Sequence, residues 1–514
     1  MKQFVLVMSL WVVVFLSPAQ VTFQKVFSAD SAVVPNGIVA TADGGYAIAS
    51  GIVNQASGDW DVLLMKLSAN GDTLWQKTFG SAGDESGYCL QQTSDNGYVI
   101  AGWTDDGDDI LVIRTDQSGD TLWTNRYGGS YGDDPTAIRQ TGDGGFIIVG
   151  ATNSYSSGAS NDIYLLKISA TGSIEWTKAI GQTNENDWGT CIQQTADNGY
   201  IISGSVSEGG YLNAGLIRTN ATGDTLWTKS FGGTNHDYGE SVVQTADGGY
   251  MLAGSTYSFG AGGLDFYLVK TDASGNMVWS KTYGGADYEE LKSIQQTSDN
   301  GYIMLGESDS FSNHSKMYAI KINATGDTLW TKIYGEYDEE IGRALCLTAD
   351  GGFAFTGYTY CFGLIDPGIF LIKTDQNGQS GCNEYGTQTL TGSPATQVSS
   401  GLVVSTGGAV NHSALVAGIP VLSVMSLCSS SAISEQNNNI PVTIYPNPAT
   451  EHFTVETGLE DCTVTICNID GQELMKEQVN SSKAQFDIRN LATGVYFVKL
   501  LANDAVEVMK MVKE

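Results

Sequence analysis

Apolar and polar positions alternate along residues 241–283 in four short runs. The runs read SVVQT, YMLAGST, DFYLVKT and MVWSKTY, and each has the length of a single β-strand. The stretch ADGG after the first run and DASGN after the third supply the glycines that tight hairpin turns require. This part of the chain therefore predicts four antiparallel β-strands in succession.

The same pattern recurs along the chain, and two landmarks identify its copies. The string T-x-D-[GN]-G-[YF] occurs seven times at intervals of 48 to 54 residues, and G-x-x-x-W occurs six times. Repeats of four antiparallel strands are typical of a β-propeller, so we predict an all-β fold with a seven-bladed β-propeller. The landmark aspartates are Asp43, Asp95, Asp143, Asp197, Asp247, Asp299 and Asp350, and the tryptophans are Trp75, Trp123, Trp176, Trp227, Trp279 and Trp330.

The segment VTFQKVFS at residues 21–28 resembles the last strand of a repeat without the rest of that repeat. Phe23 precedes Asp43 by 20 residues, the interval that separates most of the tryptophans from the next landmark aspartate. The seventh repeat lacks its last strand, and Cys382 stands at its tryptophan position. We predict that residues 21–28 pair with the strand near 369–374 and close the ring, because an open ring would leave two unpaired edges.

Composition divides the chain into four parts. Residues 1–19 combine a positive start, a 13-residue apolar run and small residues, which predicts a secretory signal peptide and is too short for a membrane span. Residues 20–382 hold the repeats. Residues 383–436 contain no Lys or Arg and form a Ser/Thr/Gly-rich connector, either a linker or a strand-rich extension of the propeller. Residues 437–514 alternate at period two, which predicts an immunoglobulin-like β-sandwich.

The net charge of −31 at pH 7 limits the partners of the protein. Phosphate backbones and anionic lipid surfaces would repel such a chain, which argues against nucleic-acid binding and against adhesion to lipid. The expectation is a monomer at the outer-membrane surface or in the extracellular space, with no transmembrane segment.

Four motifs in the tail carry a resemblance to a known family. IYPNPA, NIDGQEL, LATGVYFVKL and VMKMVKE occur in this order. They resemble the type A C-terminal sorting domain of type IX secretion substrates in the Bacteroidota. The resemblance implies Sec export, recognition of residues 437–514 by the type IX machinery, and removal of the tail with release or attachment to lipopolysaccharide. Only Cys462 and Cys467 depart from the family's pattern, and the function of the repeats is left open.

The cysteines of an exported chain can form disulfides. Cys89 and Cys191 occupy a repeat slot that elsewhere holds small residues, so they are predicted to be packed thiols. Cys462 and Cys467 lie five residues apart on one predicted strand and should not bridge each other, because they face opposite ways. The disulfide candidates, whose pairing stays open, are Cys361, Cys382 and Cys428.

Two repeated elements resemble parts of enzyme propellers, but they predict a structural role. The T-x-D-x-G hairpins resemble the Asp-boxes of sialidases, and SANGDTLW resembles the tryptophan-docking repeat of quinoproteins, both structural in those families. A sialidase needs an arginine cluster and a quinoprotein dehydrogenase adjacent cysteines, whereas most cations here fill two repeat slots and no cysteines are adjacent. The cations outside the two slots are Arg126, Arg139, Lys292, Lys316 and Arg343.

Length differences between the repeats concentrate in the loop between the second and third strands. This loop and the blade-to-blade connection predict one variable, acidic face, where a ligand would bind. The carboxylates there could hold Ca²⁺, although capping of turns is their more ordinary role. The candidate ligand-binding residues are Asp84, Asp133, Asp187, Asp237, His236, Glu289 and Asp338.

The function that the sequence favours is non-catalytic binding, adhesion or surface structure, with a glycan or a surface protein as ligand. The alternative is a carbohydrate-active hydrolase that uses two carboxylates of the variable face. Motifs of serine hydrolases, zinc proteases and P-loop proteins do not occur, and no catalytic residue, metal site or cofactor is predicted.

Overall fold

The computed structural model describes residues 20–156, 158–399, 402–405, 409–412, 416–418, 420, 422–430, 442–457, 462–467, 473–479, 481–502 and 505–513. Over these ranges the chain forms β-strands and turns without an α-helix, and hence without a helix able to cross a membrane. The all-β prediction is confirmed. The chain divides into two compact units, residues 1–430 and 431–514. The predicted signal peptide lies outside the described residues.

Unit 1 contains seven antiparallel sheets, each with four strands of the repeat, in a propeller-like arrangement. Sheet 1 has strands Val33–Ala40, Tyr46–Val53, Trp60–Leu67 and Thr73–Gly80; sheet 2 has Glu85–Gln92, Tyr98–Thr104, Asp109–Thr115 and Thr121–Gly128; sheet 3 has Asp133–Gln140, Phe146–Thr152, Asp162–Ile168 and Ile174–Gly181; sheet 4 has Trp188–Gln194, Tyr200–Glu208, Tyr211–Thr219 and Thr225–Gly232. Sheet 5 has Asp237–Gln244, Tyr250–Thr256, Asp265–Thr271 and Met277–Gly284; sheet 6 has Glu289–Gln296, Tyr302–Ser308, Lys316–Ile322 and Thr328–Tyr334; sheet 7 has Glu340–Leu347, Phe353–Thr359, Gly368–Thr374 and Thr22–Ser28.

The T-x-D box closes the first hairpin of each sheet. In sheet 1 the carboxylate of Asp43 accepts the Gly45 N–H (3.1 Å) and the Thr41 hydroxyl (2.6 Å). Lys66, buried on the third strand, adds an ion pair with Asp43 (2.9 Å). The corresponding ion pair occurs in all seven sheets, which explains why one cation slot repeats with the aspartate.

The landmark tryptophans pack between neighbouring sheets. The ring of Trp75 lies 5.8 Å from that of Tyr98, which follows the T-x-D box of sheet 2. A Cβ on Gly119, in the turn before the last strand of sheet 2, would lie 2.7 Å from the Trp75 ring. Gly119 also has a φ of 76°, so close approach and backbone conformation both select glycine there.

The first strand of each sheet contacts the first strand of the next sheet, and that of sheet 7 contacts that of sheet 1. We call these first strands the inner strands and the fourth strands the outer strands. Thr22–Ser28 is the outer strand of sheet 7, where Phe23 lies opposite Lys373 and Phe27 opposite Ile369. This is the strand partner that the spacing predicts, and both phenylalanines are fully buried.

Residues 384–430, which we call the belt, add a fifth strand to the outer strand of every sheet. The belt meets the sheets in reverse order, from sheet 6 back to sheet 1 and then sheet 7. A disulfide between Cys382 and Cys428 joins its two ends, with the Cα atoms 6.1 Å apart. The strands of the belt are Glu384–Gly386, Leu390–Gly392, Gln397–Ser399, Val403–Ser405, Ala409–His412, Val416–Gly418 and Ser423–Ser430.

The described part of the connector is therefore a strand-rich extension of the sheets. The disulfide uses two of the three candidate cysteines, and the third, Cys361, is a buried free thiol. Cys89 and Cys191 are also free, as predicted, and Cys191 is buried.

Unit 2 contains a three-stranded and a four-stranded antiparallel sheet that share one apolar core. Phe453 and Phe486 stack within that core with ring centroids 5.3 Å apart, and Val464 and Val498 pack with them. The strands are Val442–Tyr445, His452–Thr457 and Lys483–Asp487 in the first sheet, and Cys462–Cys467, Glu473–Val479, Gly494–Ala502 and Ala505–Lys513 in the second.

Candidate functional site

Four of the predicted site residues lie fully buried where a loop enters an inner strand. Asp133, Asp237 and Glu289 each accept the backbone N–H of the glycine four residues earlier, at 2.7 to 2.8 Å. Asp187 accepts the N–H groups of Gln182 (3.1 Å) and Ser207 (2.8 Å). These carboxylates cap the connections between sheets, which is the ordinary role that the sequence also allowed.

Asp84 lies one residue before the capping position of its sheet, and Asp338 lies two residues before that of its own. Asp84 is half-buried and accepts the Trp60 N–H (2.8 Å), while the buried slot is filled by Glu85. The carboxylate of Asp338 accepts the Glu339 N–H (3.0 Å), and Glu340 fills the slot. The carboxylates therefore lie at separate sheet junctions and do not form one pocket.

His236 lies in the connection between sheets 4 and 5. Its Nδ1 accepts the Leu212 N–H (3.1 Å), and its ring lies between those of Tyr211 and Tyr238, at 5.5 and 6.3 Å. In the described part of the chain, no group of three or more His, Cys, Asp or Glu side chains is arranged to hold a metal ion.

At the six junctions from sheets 1 and 2 to sheets 6 and 7, the capping carboxylate faces a second polar side chain from the third strand of the preceding sheet. A Cβ on Gly128 would lie 1.9 Å from Oδ1 of Asp109 and 2.9 Å from Oδ2 of Asp133, so glycine is required between them. Four junctions hold two carboxyl groups, the junction of sheets 4 and 5 holds Asn and Asp, and that of sheets 6 and 7 holds Lys and Glu. In junction order the pairs are Asp61 and Glu85, Asp109 and Asp133, Asp162 and Asp187, Asn213 and Asp237, Asp265 and Glu289, and Lys316 and Glu340.

These buried acid pairs predict that unit 1 becomes more stable when the pH falls moderately below neutrality. Burial and the facing carboxylate raise the pKa values of Asp187 and Asp265 to about 6. Between about pH 4 and 6 the folded protein then holds protons that the unfolded chain has lost, so stability falls as the pH rises through this window. Each of these two carboxyl groups contributes about 2–3 kcal/mol to the free energy of unfolding at about pH 4, and this contribution is lost as the pH rises above about 6. Melting temperatures measured from about pH 4 to 8 should therefore fall with rising pH.

The hairpin aspartates set the lower limit of this effect. Burial notwithstanding, hydrogen bonds and Lys167 lower the pKa of Asp143 to about 2, so its contribution is lost as the pH falls below about 4. Asp187→Asn should flatten the slope between pH 4 and 6 because an amide does not titrate, and its oxygen can still accept one of the two backbone N–H groups. A melting temperature that rises with pH across that interval would contradict the prediction.

The inner strands share a second feature, a β-bulge at one equivalent position of every sheet. A bulge leaves one residue outside the ladder and re-aims its side chain. The seven bulged residues line one cavity of about 400 Å³, which we call the channel. They are Asn36, Tyr88, Thr136, Thr190, Glu240, Lys292 and Arg343.

Three bulged residues tie adjacent inner strands together. Asn36 donates to the Gly87 carbonyl (3.0 Å), and Thr136 and Thr190 donate to the equivalent carbonyls of the next sheets at 2.7 and 2.8 Å. Sheets 2, 5, 6 and 7 instead place Tyr or a charged residue at the bulge. The channel is therefore the place where the chain departs from its own repeat.

The bulged Lys292 belongs to a network of polar side chains centred on Glu290. Glu290 forms an ion pair with Lys292, accepts the Tyr288 hydroxyl (2.9 Å), and lies beside Glu307 on the neighbouring strand. Against the effect of burial, Lys292 holds the pKa of Glu290 below its ordinary value, whereas burial and the contact with Glu290 raise that of Glu307 to about 7. Burial also raises the pKa of Glu240 to about 7.

Tyrosines continue the network toward the variable face, and we call them the tyrosine rim. Tyr238 and Tyr257 are in ring contact at 6.4 Å, and Tyr358 and Tyr360 at 5.9 Å. Tyr288 connects the rim to Glu290. Tyr257 and Tyr360 expose 41% and 38% of their surface, so flat aromatic faces are accessible beside the charged network.

The sequence contained a signal for this site that the list of acidic residues missed. Lys292 and Arg343 belong to the few cations outside the two repeat slots, and Glu290 directly follows the predicted Glu289. Glu290 and Glu307 are in hydrogen-bond contact, closer than the separation of about 5 Å that a retaining glycosidase needs. The network offers donors, acceptors and aromatic faces, which suits binding.

A family model described as the secretion system C-terminal sorting domain matches residues 443–514. The chain thus carries a tail of type IX secretion substrates, which implies engagement of that machinery and export to the cell surface or extracellular space. No curated protein sequence matches the chain.

Solved structures that match the chain include PorZ and a puromycin hydrolase. PorZ, described as an essential bacterial surface component of the type IX secretion system of Porphyromonas gingivalis, is 8% identical at a TM-score of 0.19, over 96% of this chain and 100% of that one. A puromycin hydrolase is 12% identical at a TM-score of 0.29, over 65% of this chain and 60% of that one. Both scores are too low to indicate a shared fold or function.

Proposed function

We propose that unit 1 is a seven-bladed β-propeller closed by the N-terminal strand, and that a type A sorting domain delivers it through type IX secretion. Support for closure comes from the pairing of Thr22–Ser28 with Gly368–Thr374 and from the contact between the inner strands of sheets 7 and 1. Support for the delivery route comes from the match of residues 443–514 and from the four tail motifs.

The function we propose is non-catalytic binding of a glycan at the channel mouth. One observation carries this proposal: the repeat is broken at the inner bulges by Glu240, Lys292 and Arg343, beside the tyrosine rim. Aromatic faces give large contact area at little cost in conformational entropy, and the charged network supplies hydrogen bonds of both kinds. Ligand sites commonly combine such walls with a few convergent polar groups.

Binding of the full chain to an array of bacterial and host glycans tests the proposal. Tyr257→Ala and Tyr360→Ala should each weaken binding about tenfold, because each removes an aromatic face from the rim. Tyr385→Ala is the matched control: Tyr385 is 58% exposed but lies on the belt, at the outer edge of sheet 6.

Three results would overturn the proposal. The first is the absence of glycan binding, and the second is an equal loss of binding in the rim and control variants. The third is hydrolysis of a bound glycan that is lost on Glu290→Gln, which would establish the carbohydrate-active hydrolase instead.

A further inference from the structure

Arg343 is a bulged cation that forms no ion pair with the described residues of the channel. Its guanidinium lies 5.3 Å above the ring of Tyr358, while its Nε is buried and has no hydrogen-bond partner among the described residues. Lys292, at the equivalent position of sheet 6, is paired with Glu290. Buried polar groups are normally satisfied, so an unsatisfied one in a cavity marks a place where a ligand group fits.

Cations of the two repeat slots form ion pairs with aspartates of the fold. Arg114 binds both oxygens of Asp95, at 2.7 and 2.6 Å, and Lys178 pairs with Asp224 at 2.9 Å. Outside the slots, Arg126 pairs with Asp106 (2.5 Å). Arg139 and Arg343 form no ion pair in the described residues. Arg139 donates to the Ile138 carbonyl (2.8 Å), whereas the Nε of Arg343 has no acceptor there.

We propose that Arg343 is a specificity residue that binds the carboxylate of an acidic saccharide in the channel, an inference that rests on the proposed glycan binding. A guanidinium presents parallel N–H donors that match a carboxylate in a bidentate fashion. Stacking on Tyr358 fixes the plane of the guanidinium, so little entropy is lost when the anion binds.

The groups around Arg343 make an anion acceptable there despite the net charge of the protein. Lys292 neutralises Glu290 in an ion pair, and Glu290 also accepts the Tyr288 hydroxyl, so this carboxylate does not oppose an anion beside Arg343. Burial and the contact with Glu290 raise the pKa of Glu307, and the protonated form of this carboxyl can donate a hydrogen bond.

The inner strands favour a saccharide over an acidic peptide. A peptide commonly binds by adding a strand to a free sheet edge. Here side chains of neighbouring sheets already bind backbone groups of the inner strands. The carbonyls of Gly189 and Gly239 accept hydrogen bonds from threonine hydroxyls. The side-chain oxygens of Gln91 and Gln193 accept backbone N–H groups of the next inner strands at 2.6 and 3.1 Å. A channel ligand must therefore be recognised by side chains.

Calorimetric titration of the full chain with uronic-acid oligosaccharides, with their methyl esters and with neutral oligosaccharides of equal length tests the proposal. The acids should bind at least tenfold more tightly than their esters. Arg343→Gln should remove this preference, so that the acids bind no more tightly than their esters, and Arg343→Lys should retain part of it. Arg126→Gln, which removes an outer-strand cation, is the control and should bind like the parent protein.

The outcomes separate this proposal from the one it rests on. Equal affinity for acids and esters, or an unchanged preference in Arg343→Gln, overturns the role of Arg343 and leaves glycan binding intact. Failure to bind any saccharide overturns both. Melting temperatures of the two Arg343 variants equal to that of the parent protein establish that a change in affinity does not come from unfolding.

Discussion

Replacing Cys382 and Cys428 by serine should lower the free energy of unfolding of unit 1 by about 4 kcal/mol. The disulfide closes a loop with a sequence separation of 46 residues, and a cross-link of that length removes much of the entropy of the unfolded chain. The loop is the belt, which follows the outer edges of all seven sheets. Opening it should therefore loosen the fifth strands of every sheet together.

Urea unfolding followed by tryptophan fluorescence measures this effect. Every tryptophan after Trp11 lies between residues 60 and 330, so the signal reports on unit 1 alone. Reduction of the parent protein should reproduce the midpoint of the double serine variant, and the variant itself should be insensitive to reductant. Cys89→Ala, a free-thiol control, should leave the response to reductant unchanged. An unchanged midpoint after reduction would contradict the prediction.

Hydrogen exchange adds a spatial test of the same prediction. Backbone amides of the belt strands should lose protection on reduction, whereas those of the inner strands should keep it. Protection lost first from the inner strands would mean that the belt is not held by the disulfide.

The repeat could be predicted from the sequence because its strands alternate and its turns contain fixed residues. The distance from Phe23 to Asp43 predicted even the partner of the N-terminal strand, because chain length around a hairpin constrains where a strand can lie. A strand-rich extension is one of the two alternatives that the sequence leaves open for residues 383–436, but the pairing of the belt with every sheet could not be predicted. Most of its strands have three or four residues and pair at one edge only, so they carry no pattern of buried and exposed positions.

The candidate site was missed for a different physical reason. Acidic residues occur in adjacent pairs, such as Glu289 and Glu290, and a shift of one residue along a strand reverses the face on which a side chain lies. Glu289, a predicted ligand-binding residue, is a buried cap, whereas its neighbour Glu290 belongs to the charged network beside the channel. The bulge that turns Lys292 and Arg343 toward the channel adds one residue to the inner strand, and alternation alone does not reveal it.

Glu340→Gln should lower the free energy of unfolding of unit 1 by about 3–5 kcal/mol. Lys316 Nζ lies 2.6 Å from the Glu340 carboxylate, and their side chains are 3% and 0% exposed. Replacing the carboxylate by an amide leaves the buried ammonium ion with neutral acceptors, such as the Asp338 carbonyl, and without a counter-charge. Burying a charge without a counter-charge costs far more than the pair itself contributes. Urea unfolding with tryptophan fluorescence again provides the measurement.

A double-mutant cycle and the chain's own repeat provide the controls. Lys316→Met with Glu340→Gln should recover most of the loss, because neither charge then remains buried. Lys316→Asn should be tolerated better than Lys316→Met, since it reproduces the junction of sheets 4 and 5, where Asn213 faces Asp237 beside Gly232. Equal destabilisation by Glu340→Gln and by the double variant would mean that the cost arises from packing at this junction. The buried charge of Lys316 would then not be its source.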